Sequence, residues 1–198
     1  MKKINLILPV NGIKIPFNEG EHLYFLAGPI KGGGDWHSKA IYALSEEDPG
    51  CYICSPKSYT SDDPLFQHSL LSDNSFSFAD QTSWERYYME LASHYGTIIF
   101  WLPGESVTNP REDGNYARDT RGEIGRWSIR SAFSLNPIKA GAPVNIVVGG
   151  ESNFSGIRVI EKNLKLDHGG FFPVYSSLKE TIKNAVRKAF SKKQAVPY

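Results

Sequence analysis

GTIIFWLP, residues 96–103, is apolar almost without interruption. A strand with one wet face alternates apolar and polar side chains, whereas this run does not alternate at all. Both its faces must therefore be covered, as in the centre of a parallel sheet with helices on either side. Immediately upstream, DQTSWERYYMELASHY (80–95) places Trp84, Tyr88 and Leu91 at i, i+4 and i+7, the stripe of an amphipathic helix. Downstream, Thr120 to Ser134 reads as a second helix, with Ile124, Trp127, Ile129 and Phe133 as its apolar members.

The same rhythm extends to both ends. HLYFLAGPI (22–30) and CYICSP (51–56) are buried strands, with the helix DWHSKAIYALSEE (35–47) between them and Asp35 as its N-cap. PVNIVVGG (143–150) and GFFPVYSS (170–177) are further strands, and GIRVIEKNLK (156–165) and LKETIKNAVRKAFSKK (178–193) are helices. Strands separated by helices predict an α/β fold, a Rossmann-like parallel sheet of about five strands with helices on both faces. Residues 1–198 read as one domain, with a long loop insertion at about 56–79 whose Phe66, Phe76 and Phe78 suit a segment packed on the body. The N-terminal MKKINLILPVNG reads as a strand or arm. Its apolar run is shorter than the roughly 7–15 residues of a secretory signal, and no small-residue cleavage site follows, which predicts a cytoplasmic protein.

The 22 basic and 21 acidic side chains leave a net charge of +1, against a nucleic-acid polymer as partner. No apolar stretch approaches the roughly 20 residues that span a bilayer. Cys51 and Cys54, three apart on a strand, point to opposite faces, so the C-x-x-C spacing predicts two buried cysteines and neither a redox pair nor half a metal site. The five histidines show no metal-ligand spacing, and neither a metal nor an organic cofactor is expected.

In sheets of this kind ligands bind outside the carboxyl ends of the strands. The glycine-rich AGPIKGGGD (27–35) lies at one such end, and its backbone N–H groups suit an anion or a sugar. It is neither G-x-G-x-x-G nor a P-loop, and it equally fits a flexible strand-to-helix turn. DTRGEIGRW (119–127) follows another. Thr120-Arg-Gly-Glu123 fits a capping box, in which Glu123 returns to the cap N–H. The same position also suits a first-turn carboxylate, held ionised by the helix dipole and facing the crevice, with Gly122 and Gly125 leaving room for a substrate. Such a group can attack an anomeric carbon through an oxocarbenium-like transition state.

FLAGP (25–29), Trp84-Glu85, IIFWLP (98–103) and RGEIGRW (121–127), in this order, resemble the nucleoside 2-deoxyribosyltransferase family, and the likeness covers roughly residues 22 to 190. The resemblance implies a flavodoxin-like fold and a glutamate nucleophile that forms a glycosyl ester, later passed to a free nucleobase or to water. It assigns the nucleophile to Glu123, an orienting tyrosine to Tyr24, the turn beneath the sugar to Gly28 with Pro29, and an acid near the sugar or base to Asp119. Asp35, Trp84, Gln81, Trp101, Arg121 and Gly122 complete the substrate-binding candidates. Core packing is the alternative for Trp84 and Trp101, and a solvated first turn for Gln81. Members end in an aromatic residue that can reach a neighbour's site, as Tyr198 would in a homo-oligomer.

One departure is that Gly96 stands where many members carry an aspartate that serves the base. Asp119, Asp113 and Glu105 are then candidates to protonate the leaving base. Arg118, Arg121 and Arg126 flank Glu123 and suit a 5′-phosphate, or simply a solvated helix face. Three functions follow: deoxyribosyl transfer, hydrolysis of nucleoside 5′-monophosphates, and a non-catalytic module that binds a nucleotide or an ADP-ribose-like ligand.

Overall fold

The computed structural model describes residues 4–13, 20–72, 77–134 and 144–191. Its elements, in chain order, are β1 (Asn5–Ile7), β2 (Leu23–Ala27), α1 (Trp36–Glu47), β3 (Tyr52–Cys54), α2 (Gln81–Tyr95), β4 (Gly96–Leu102), α3 (Arg118–Ser134), β5 (Ile146–Gly150), α4 (Ile157–Asp167), β6 (Val174–Tyr175) and α5 (Leu178–Ser191). All strand pairings are parallel, in the order β1-β3-β2-β4-β5-β6. Without β1, this is the flavodoxin-like order. The sheet has six strands where about five were expected, because the N-terminal segment joins as an edge strand beside β3.

Every residue of β4 is buried, as an unalternating apolar run requires. The sheet divides the core in two. Leu23, Phe25, Ile98 and Phe100 point to the face covered by α2, α3 and α4, where Trp84, Tyr88, Ile124, Trp127 and Leu164 meet them. Tyr24, Leu26, Ile99 and Trp101 point to the other face, under Trp36 and Ile41 of α1 and Ile182 and Val186 of α5. Cys51 and Cys54 fall on opposite sides of this division, both free and buried. Burial pushes both thiols up, which makes them poor nucleophiles.

The long segment before α2 lies against β1. Leu70 N–H donates to Leu6 O (2.7 Å), Leu65 is buried, Phe78 packs on the core, and a short 3₁₀ turn spans Phe66–His68. Phe76 and Tyr198 lie outside the described residues. Among the described residues no helix is long and apolar enough to cross a membrane.

Two local expectations are corrected. α3 starts at Arg118, so Thr120 is its third residue and not a cap; the preceding Ala117 turns the chain with φ of 56°. The apolar face of α3 also differs. At 100° per residue, Ser128 and Ser131 stay in line with Ile124 and are buried, whereas Ile129 and Phe133 rotate away and are exposed.

Candidate functional site

The strand order reverses between β2 and β4, and the loops that follow these strands meet there. Gly28 abuts the Trp101 carbonyl, and a Cβ on it would lie 2.7 Å from the Trp36 ring, so no larger residue fits this turn. Trp36 Nε1 donates to Pro29 O (2.9 Å) and fixes the loop from the α1 side. Asp35 sits at the start of α1, but its carboxylate accepts from Ser38 Oγ (2.7 Å) and Lys57 Nζ (2.6 Å) and caps no backbone N–H. Across the crevice, Ser106 N–H donates to Gly32 O (2.7 Å), and Tyr116, packed on Gly32, donates through Oη to Pro103 O (2.7 Å). The two loops are thus tied together at the switch point.

The open space lies beside this point, between α2 and α3 along roughly their first three turns. A pocket of about 370 Å³ is lined by Glu85, Arg86 and Glu90 from α2 and by Arg118, Asp119, Glu123 and Arg126 from α3, with Met89 and Trp127 beneath. The spacing explains the set. On α2, Trp84 and Tyr88 point into the core, and the next residue around, at Glu85 and Met89, faces α3. On α3, Ile124 and Trp127 face the sheet, and Asp119, Gly122, Glu123 and Arg126 form the flank facing α2.

The electrostatics follow from crowding. Glu123 is half-buried and forms no hydrogen bond or ion pair among the described residues. Burial first, then the nearby charges of Glu85 and Asp119, push its carboxyl up to about 7, with Arg126 offsetting part of the shift. The expectation of a carboxylate held ionised by the helix dipole is therefore overturned: Glu123 is the sixth residue of α3, beyond the free N–H groups, and desolvation with two like charges outweighs the dipole. Glu85 is also pushed up, by burial, while a hydrogen bond from Gln81 Nε2 (2.8 Å) lowers it and the Asp119 charge raises it. No hydrogen bond or ion pair is made by the side chains of Arg86, Arg118 or Arg126 among the described residues, so three guanidiniums are free to meet a ligand.

Of the sequence candidates, Glu123, Asp119 and Gly122 line this pocket; Gln81 touches it through Glu85, and its Nε2 also donates to Pro56 O (3.2 Å). Gly28, Pro29 and Asp35 belong to the switch-point turn. Trp84 and Trp101 are core residues on opposite faces of the sheet. Tyr24 cannot orient Glu123, because the sheet stands between them: its hydroxyl points to the α1 side and donates to Asp48 Oδ2 (2.8 Å). Arg121 is not a phosphate reader. Its guanidinium donates to Tyr116 O (2.6 Å) and Ser155 O (2.9 Å), stacks on Phe154, and pins the loop after β4.

Gly96, where the family resemblance led to an acid, opens β4 directly against the backbone of Leu23. A Cβ there would lie 2.9 Å from Leu23 N, so this register leaves no space for a side chain. Of the proposed replacements, Asp113 is paired with Arg111 Nε (2.7 Å) and Glu105 accepts from Arg111 N–H (2.9 Å); neither lines the pocket. Arg86 was missed. Its only signal is its place beside Glu85, one step off the apolar stripe. No protein-family model matches the chain, and no curated protein matches it.

Proposed function

We propose that the chain cleaves the N-glycosidic bond of a 2′-deoxynucleoside or its 5′-monophosphate, with Glu123 as nucleophile. The observation that carries this reading is one pocket holding an unpaired, half-buried glutamate beside a second glutamate whose carboxyl is also pushed up. Two neighbouring carboxyl groups that share a proton, so that one attacks while the other donates, are the machinery of glycoside cleavage.

The electron and proton accounting closes on these residues. A carboxylate oxygen of Glu123 bonds to C1′, the C1′–N bond breaks, and its electron pair stays on the base nitrogen. The two glutamates share one proton; when it lies on Glu85, Glu123 is the ionised nucleophile, and Glu85 supplies the proton that makes the base neutral. Water or a second base then attacks C1′, the ester C–O bond breaks, and Glu123 regains its electron pair. The proton released by the acceptor returns to Glu85. Glu85 thus takes the role left open by Gly96, and Asp119, by its charge, helps keep that proton in place.

Arg86, Arg118 and Arg126 favour a phosphorylated substrate, since three unpaired guanidiniums around one pocket suit a dianion. The test is chromatography after incubation with 2′-deoxynucleosides and their 5′-monophosphates, with and without a second free base. A new nucleoside or nucleotide identifies a transferase, and free base with free sugar identifies a hydrolase. Stoichiometric binding of the panel with no base released would replace this reading with a non-catalytic module.

A further inference from the structure

A second pocket, of about 410 Å³, lies between α3, β5, β6 and α5. It is separate from the Glu123 pocket. Ser131 on its rim is eight residues beyond Glu123, about 12 Å along α3, and Asn145 and Ile146 place it at the amino ends of the strands.

Its lining is chemically one-sided. Lys188, Arg187 and His168 line it, with the amide of Asn184 and the apolar surfaces of Phe172, Pro173 and Tyr175, whereas no aspartate or glutamate does so among the described residues. Lys188 Nζ donates to Ile146 O (3.0 Å), which leaves two of its three protons without a partner among the described residues. It lies 6.0 Å from the Phe172 ring. His168 packs on the same ring, 4.5 Å between centroids. Its Nδ1 lies 3.1 Å from Leu164 O, and its buried Nε2 has no partner among the described residues. Burial holds the Lys188 ammonium below the usual lysine range.

A half-buried ammonium with spare donors, a guanidinium beside it and no counter-charge among the described residues is an arrangement that an anion would complete. The flat apolar wall adds a place for a ring or chain next to the charged head. We propose that this pocket binds a small organic oxyanion, a carboxylate or a phosphate monoester carried on a flat apolar body. Lys188 and Arg187 pair with the oxygens, and Phe172 and Pro173 cover the body.

The test uses the full chain, labelled with ¹⁵N, titrated with phenyl phosphate, benzoate and the neutral benzamide and followed by amide NMR. Phenyl phosphate or benzoate should saturate shifts at residues 145–147 and 184–188, and the tighter of the two fixes the head group. Benzamide should bind at least tenfold more weakly. Lys188→Met should weaken the oxyanion at least tenfold. Arg187→Gln, at an exposed position that spares the fold, should do so several-fold. Shifts confined to residues 118–127, equal binding of benzamide, or affinity unchanged in both variants would overturn the proposal. Glu123→Gln should leave this binding untouched, so the result stands apart from the glycosidic reading.

Discussion

Two carboxyl groups on opposite sides of the sheet, one buried and one half-buried, are treated in opposite ways. Asp48, just past α1, accepts from Tyr24 Oη and lies 2.8 Å from His22 Nδ1, so its Oδ2 is met by two fixed partners. Glu123, on α3, has no such partner and has Glu85 and Asp119 for company. The first arrangement is what a fold does with a charge it must bury for its own sake. The second leaves a carboxylate under strain from like charges, which costs stability and is retained where something else is to be bound or changed.

The largest way to break this comparison is Glu123→Gln. If Glu123 is the nucleophile, turnover should fall by about 10⁴-fold or more, and the thermal midpoint at neutral pH should hold or rise. The sign follows from linkage. The folded chain keeps the Glu123 proton up to about 7, and the unfolded chain releases it near its ordinary 4.5. Stability is therefore lost as pH rises through that window, and the amide variant should remove this slope. Urea unfolding at several pH values measures it. A variant that still turns over would end the assignment.

Glu85→Gln comes next, with an expected loss of about 10²- to 10⁴-fold in kcat, the usual range for a general acid. A base that leaves without protonation should suffer less, so an activated leaving group such as a 7-methylated purine should rescue much of the rate. Asp48→Ala should do the reverse of both. It leaves the Tyr24 hydroxyl buried without its acceptor, so unfolding free energy should drop by about 2–3 kcal/mol while kcat per folded molecule stays the same.

Much of this contrast was legible in the sequence. The unalternating TIIFWLP gave away the sheet, and the division of Cys51 from Cys54 followed from strand periodicity. Glu123, Asp119 and Gly122 stand out by their spacing because they share one flank of one helix. The rest depended on packing that no single segment encodes. Which face of β2 carries Tyr24 is set by where α1 and α5 land, and the fate of Arg121 is set by carbonyls of two loops, one of them 34 residues away. Glu85 stood in the sequence only as half of the Trp84-Glu85 pair, and its pairing with Glu123 required α2 and α3 to lie side by side. The misplaced start of α3 came from reading Thr120 as a cap, where a local capping signal lost to the turn at Ala117.

The smallest effect separates the two roles most cleanly. Gly122 lines the pocket, is exposed on α3, and a Cβ added there meets no atom within 4 Å. In a helix interior, glycine is about 1 kcal/mol less favourable than alanine, so a helix built only for stability would gain from Gly122→Ala. The variant should raise unfolding free energy by up to about 1 kcal/mol, measured in urea. If the open space is there for a sugar to approach Glu123, the same methyl should raise KM several-fold with little change in the fold. A gain in stability with KM unchanged would mean that the glycine leaves room for nothing, and the pocket would then have to be entered from the α2 side, past Glu85 and Arg86.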